Sequence, residues 1–118
     1  MKMQSNDIAY YEDGEVIFEE DSVGKEIYVI EDGEVEISLS VGGRKVLVAT
    51  LEKGDFLGEI AALTDTPRSA TAKAVGKVAL RSVSLGKILS DHQSTIELLQ
   101  TLAIRLRSTT SALKDLLN

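Results

Sequence analysis

Glu59 and Arg68 stand out by the company they keep. Both lie in Gly58–Thr71, "GEIAALTDTPRSAT", where Ala61, Ala62, Ser69, Ala70 and Thr71 are too small to cover a charge. The chain's only proline, Pro67, directly precedes the arginine and fixes the backbone direction entering it. Arginine offers a planar fork of donors that matches phosphate oxygens. Gly58 lets a ligand approach the backbone closely. A helical turn over Ile60–Leu63, followed by a loop over Thr64–Pro67, would aim free N–H groups at the same anion. A glutamate would repel a phosphate, so it makes sense if the ligand also brings a hydroxyl for a carboxylate to accept from, as a ribose 2′-OH does. A nucleotide with a single phosphate charge near a ribose hydroxyl fits both groups. The spacing fits equally well an internal Glu59–Arg68 salt bridge that only holds a loop.

Other chemistries are scarce. The chain has 118 residues, the size of one ordinary domain, and no cysteine. Disulfides, thiol catalysis and thiolate metal sites are excluded. His92 is the single histidine, so a multi-histidine metal site is excluded too. A Ser-His-Asp mechanism would have to use His92, and no Gly-x-Ser-x-Gly motif accompanies it. No signal peptide and no apolar run near membrane-spanning length is visible, which makes the cytoplasm the expected compartment. The net charge of -6 argues against direct nucleic-acid binding. It is uneven: residues 1–40 carry two lysines against twelve acids, and residues 41–118 carry eleven bases against seven acids. An acidic solvated surface on the first strands explains the first imbalance.

Glu15 to Val83 reads as short strands. Glu15–Glu19 and Ile27–Glu31 are strand-like runs, and Asp32-Gly33 is a turn signal. Val35, Ile37, Leu39 and Val41 alternate with Glu36, Ser38 and Ser40 as a half-buried strand. Gly42-Gly43 makes a hairpin to Lys45–Leu51, and Lys53-Gly54-Asp55 turns again. Ala70–Val75 and Lys77–Val83 are two more strands with Gly76 between them. The pattern suggests a β-sandwich, jelly roll or small barrel. Ser84, and Ser90 or Asp91, are candidate helix caps. Gln93–Leu117 reads as one long helix. Its residues Leu99, Leu102, Leu106, Thr109, Leu113 and Leu116 form a heptad seam, with Ile96, Ala103, Thr110 and Leu117 recurring beside it. The seam suggests a partner helix, most simply a second copy. Thr109 is its one polar member, and a polar seam residue can simply set register.

"GDFLGEIAALTDTPRSATAKA" resembles the phosphate-binding cassette of the cyclic nucleotide-binding domain family. That cassette runs Gly-Glu-Leu/Ile-Ala-Leu, a short loop, then Pro-Arg-Ala/Thr/Ser-Ala-Thr. "YYEDGEVIFEEDSVGKEIYVIEDGEVEI" is similar to the family's opening strands, with Gly14, Gly24 and Gly33 at turn positions. "LLQTLAIRLRSTTSALKDLL" resembles its closing helix, especially in the bacterial catabolite activator branch.

The resemblance implies a mainly β jelly-roll barrel (double-stranded β-helix) with flanking helices, ending in a long C-terminal helix. One domain would span residues 1–118, with strands over about 8–83 and helices over about 84–117. The resemblance also implies site roles. Glu59 would accept the ribose 2′-OH. Arg68 would pair with the exocyclic phosphate oxygens. Backbone N–H groups near Ile60 and Ala61, opened by Gly58, would meet the same phosphate, and Ser69 would add a hydroxyl. Ile37, Val48 and Leu57 would wall the pocket. Thr109 and Thr110 would read the purine, one of them from the other subunit of a homodimer built on helix 93–117. Ala62 departs from the family's usual leucine. Ser69 is the residue that bacterial cAMP regulators carry there, which points to cAMP before cGMP, with no metal. The helix-turn-helix DNA reader of the bacterial regulators finds no room before Asn118, and no kinase-inhibitor or channel segment is visible. The expected activity is binding and signalling rather than turnover. The alternatives are a degenerate family member acting as a structural dimer, and a small-barrel enzyme or binder of another acid.

Overall fold

The computed structural model describes the backbone from Ile8 to Leu117 and the side chains from Ile8 to Ile104. The elements run β1 (Ile8–Tyr11), β2 (Val16–Phe18), β3 (Ile27–Val41), β4 (Arg44–Leu51), β5 (Phe56–Leu57), α1 (Glu59–Thr64), β6 (Thr71–Val83), α2 (Leu85–Ser90) and α3 (His92–Leu117). The chain divides into two compact units, one up to Leu85 and one from Gly86.

The first unit is antiparallel throughout and is organised by its two long strands. Where two strands each were expected, β3 and β6 run on as continuous strands past Asp32-Gly33 and past Gly76. Their register jumps between those points, from Ile30↔Leu80 through Asp32↔Ala79 to Glu34↔Val75. The supposed turns are therefore β-bulges, which bend a strand without ending it. Gly33 has φ 95° and Gly76 φ 68°, a backbone region that glycine reaches without strain. At Gly33 a Cβ would run into the Lys77 carbonyl oxygen, so no other residue fits there unchanged.

The bend divides the sheet into two halves that share β3 and β6. In one half, β1 pairs with Val78–Arg81, and β5 pairs with Tyr28 and Val29. In the other, β2 pairs with Ala72 and Lys73, and β4 pairs with Val35–Val41. This is the mainly β jelly roll, followed in the chain by helices, that the sequence leads one to expect.

The core lies on the inner face of both halves. Ile30, Val35, Leu51, Leu57, Ala72, Ala74, Val78 and Leu80 form one buried cluster. Tyr11, Phe18, Tyr28, Ile37 and Ala49 pack against it. Cross-strand pairs build it: Ile30 faces Leu80, Val35 faces Ala74, and Ile37 faces Ala72. Burying each large aliphatic contributes about 1.5–3 kcal/mol.

In the second unit, Asp91 rather than Ser90 caps the long helix. Ser90 belongs to α2, and its hydroxyl donates to the Lys87 carbonyl. The Asp91 carboxylate accepts from the Ser94 N–H at 3.3 Å and from the Ser94 hydroxyl. These bonds hold the Asp91 carboxyl below the ordinary aspartate range. Helix α3 starts at His92, one residue before the expected Gln93. Among the described residues, no helix is long and apolar enough to cross a membrane.

Gly33→Ala should test the bend. Positive φ and the Lys77 contact together should cost roughly 2 kcal/mol or more. A lower urea midpoint with an unchanged slope would report this, and an unchanged midpoint would show that the bend tolerates a side chain.

Candidate functional site

Strand β5 delivers the chain to Gly58, which takes φ 83° and turns it directly into α1. The helix starts at Glu59, one residue before the expected turn. A Cβ on Gly58 would stand 2.5 Å from Arg68 Nη1 and 2.6 Å from the Glu26 carbonyl oxygen. Helix α1 ends on Asp65, itself left-handed at φ 56°. Thr64 closes its last turn by donating its hydroxyl to the Ile60 carbonyl at 2.7 Å.

Glu59 and Arg68 are 2% and 3% exposed, and with Thr71 they make up the buried polar side chains among the described residues. Burying an ionised side chain is costly unless its environment compensates. Such groups therefore mark candidate sites.

The environment of Arg68 is built from three directions. Its backbone is tied to the β2–β3 loop, with Arg68 N–H donating to the Ser22 carbonyl and Asp21 N–H donating to the Arg68 carbonyl, both at 2.8 Å. Its Nη1 donates to the Glu26 carbonyl at 3.0 Å and to the Gly58 carbonyl at 3.1 Å. Its Nη2 reaches Glu26 Oε1 at 3.4 Å. The guanidinium stacks over the Phe18 ring, 4.3 Å from its centroid, a cation–π contact. Gly24 leaves the remaining space, since a Cβ there would stand 2.9 Å from Nη2 and 3.2 Å from Nε. Arg68 thus makes its ion pair with Glu26, where sequence reasoning considered Glu59.

A second tie joins the same loop to the same cassette. Lys25 Nζ pairs with the Asp65 carboxylate at the C-terminal end of α1. The hydrogen bond and charge of Lys25 hold the Asp65 carboxyl below the ordinary aspartate range. Tyr28, which packs against the core, has its phenol pushed up first by burial and then by the neighbouring Tyr11 and Glu26.

The other expected site residues fall in different places. Ala61 is buried, while Ile60 and Ser69 are exposed. Leu57 belongs to the core cluster and Ile37 packs against it. Val48 is the extra residue of a bulge in β4, because Ile37 pairs with Ala49 and Ser38 with Leu47. Its side chain is exposed. The side chains of Thr109 and Thr110 lie outside the described residues. Glu26, Gly24 and Phe18 escaped sequence reasoning as arginine neighbours. Gly24 was visible as a turn glycine, but nothing in the local pattern tied "GKE" to an arginine more than forty residues away. An open cavity of about 460 Å³ is lined by Lys25, Glu26, Ala62, Ser82, Val83, Ser84 and Leu85, so it adjoins the arginine's carboxylate partner.

Comparison with known proteins identifies the family and agrees with the fold. The family model for the cyclic nucleotide-binding domain matches residues 8–93. The chain belongs to the cyclic nucleotide-binding domain family. It is similar to a cAMP-dependent protein kinase regulatory subunit of Mucor circinelloides, 40% identical over 78 residues. That match covers 66% of this chain and 18% of the relative, so the chain spans less than a fifth of that relative's length. Among solved structures it is similar to the Thermus thermophilus catabolite activator protein, with a TM-score of 0.79 and 27% identity, covering 95% of this chain and 55% of that one. It is also similar to an EAL enzyme solved in a cAMP-bound form, with a TM-score of 0.66 and 28% identity over 91% of this chain and 30% of that one. The cGMP-bound form of that enzyme gives a TM-score of 0.67. Within this family's fold, Gly58–Thr71 occupies the segment joining β5, α1 and β6.

The Lys25–Asp65 tie yields a pH prediction. A depressed carboxyl pKa means that the pair adds stability above the unfolded pKa, and that this is lost as pH falls through the folded one. Carboxyl-resolved NMR should therefore find Asp65 titrating below an ordinary aspartate in the wild type and returning towards it in Lys25→Ala. An unmoved midpoint in the variant would remove Lys25 as the cause.

Proposed function

We propose that this chain is a cytoplasmic cyclic nucleotide sensor with cAMP as its ligand. The observation that carries the reading is the buried pair Glu59 and Arg68, one directly after Gly58 and the other hydrogen-bonded to its carbonyl, in a chain of this family. In this reading Arg68 pairs with the exocyclic phosphate. The N–H groups near Ile60 and Ala61 meet the same phosphate, and Ser69 adds its hydroxyl. Glu59 accepts the ribose 2′-OH. Thr109 and Thr110 contact the purine, one of them from a partner subunit. Relatives solved with cAMP support the ligand class, and the cGMP-bound form of one of them keeps the purine preference an experimental matter.

The mechanism is binding without turnover or metal. Cyclic AMP orders the cassette helix and draws helix 93–117 across the purine, so that one functional module spans residues 1–118. The ligand shifts this equilibrium only by its differential affinity for the two states. Dimerisation through helix 93–117 is supported by Leu99, a seam residue that is 61% exposed in the single chain.

A second reading has its own support. Arg68 already has protein partners on both terminal nitrogens, as a purely structural arginine would. Calorimetric titration of cAMP and cGMP separates the two. If Arg68 carries the phosphate, the wild type binds, and Arg68→Ala loses about 2–5 kcal/mol, a weakening of roughly thirtyfold or more. Arg68→Lys, which keeps the charge but not the fork, should fall between. No heat with either nucleotide, on protein unfolded and refolded to strip bound ligand, would favour the structural reading. The helix model has its own check. Hydrogen exchange over 93–117 should slow when cAMP is added, and equal protection would rule the capping movement out.

A further inference from the structure

Glu26 presents a surface carboxylate to a buried cation. Its side chain is 60% exposed, and it meets an arginine almost fully withdrawn from water. Nη1 of that arginine is committed to two backbone carbonyls, so Nη2 is the donor that faces the carboxylate. The contact, at 3.4 Å, lies at the long end of hydrogen bonding and is readily exchanged.

We propose that the Glu26 carboxylate is an internal occupant of the Arg68 anion site, competing with the ligand's phosphate and so limiting affinity. The proposal rests on the reading of Arg68 as the phosphate-binding residue.

Three observations give the sign. First, the carboxylate is not what positions the arginine. The Glu26 and Gly58 carbonyls, the Phe18 ring and the backbone bonds to Asp21 and Ser22 all remain when only the carboxylate is removed. Second, Lys25 is engaged with Asp65 rather than with its neighbour Glu26, so the described cationic partner of Glu26 is Arg68 itself. A phosphate arriving at Nη2 therefore meets a carboxylate charge already on the same donor. Two anions on one cation repel, and one must leave or the complex weakens. Third, Glu26 borders the open cavity beside Ala62, which gives a displaced side chain room.

The unliganded site is thus neutralised from within, and ligand binding is an exchange of one anion for another. Glutamine keeps the shape and an acceptor oxygen while removing the charge. In the full chain at low salt, Glu26→Gln should bind cAMP roughly three- to tenfold more tightly than wild type, a modest factor because the carboxylate is exposed. The gap should narrow as salt rises. The thermal midpoint without ligand should move little, whereas a residue acting only as a structural support would lower it. Calorimetry at two salt concentrations, with thermal unfolding of the ligand-free proteins, reads all three. Equal or weaker binding by Glu26→Gln would overturn the proposal and make Glu26 a support for the arginine. Absence of binding in both wild type and variant would remove the phosphate reading of Arg68, and this proposal with it.

Discussion

A guanidinium cannot be withdrawn from water without partners for its donors, and Arg68 makes that demand on three separate segments. The effective cost of burying an ion is several kcal/mol when nothing compensates it. Here the compensation comes from two carbonyls, one carboxylate and one aromatic face. Each partner fixes something else. The Gly58 carbonyl fixes where α1 begins. The Glu26 carbonyl fixes the end of the β2–β3 loop. Phe18 holds the edge of β2, where it pairs with Ala72. Gly24 and Gly58 are glycines because the space a side chain would need is filled by the arginine.

The jelly roll makes this convergence possible. Because β3 and β6 bend at their glycine bulges instead of ending, two sheet halves face one core. Strand β5 pairs in one half and β2 in the other, yet the segments that follow both of them reach Arg68. The direct pairing of Tyr28 with Leu57 already sets the end of the β2–β3 loop beside the β5–α1 junction. Of the positive-φ positions, Gly33 and Gly76 sit at the bend and Gly58 and Asp65 in the cassette, while Gly14, Asp21, Gly42, Gly43 and Gly54 lie in the connecting turns and loops.

That division explains what could be read in advance. Alternation of Val35, Ile37, Leu39 and Val41 with polar residues located the half-buried end of β3, and Gly42-Gly43 located its hairpin, because both signals are local. Gly33 and Gly76 misled in the same way as each other. A glycine in a strand pattern signals a turn or a bulge equally well, and the choice depends on what the opposite strand does. The candidate pair Glu59 and Arg68 was legible from charges set among small residues. Glu26 was not, since one more acid in a run of twelve carries no signal until folding sets it against the arginine. The seam of α3 was legible as a period, but a period does not say which residues are covered: Leu98 is buried where the adjacent seam residue Leu99 is exposed.

The formal charges around the cassette show why geometry must do most of the recognition. Arg68 contributes one positive charge, Glu59 and Glu26 one negative charge each, and Lys25 and Asp65 cancel. A monoanionic ligand therefore approaches a cluster that is already net negative, in a protein of net charge -6. Long-range attraction cannot draw it in. The positive end of a six-residue helix adds little, and Glu59 in its first turn offsets that end. In the proposed reading, what favours binding is short-range and directional: a fork of donors on Arg68 for the phosphate, and a Glu59 carboxylate that would accept from a hydroxyl but repel a second phosphate. A nucleoside di- or triphosphate would bring extra negative charge to Glu59 and Glu26 together, whereas a cyclic monophosphate brings one charge with a neighbouring hydroxyl. If Glu59 and Glu26 face the ligand as proposed, the acids that weaken attraction for every anion would discriminate most strongly against the highly charged nucleotides.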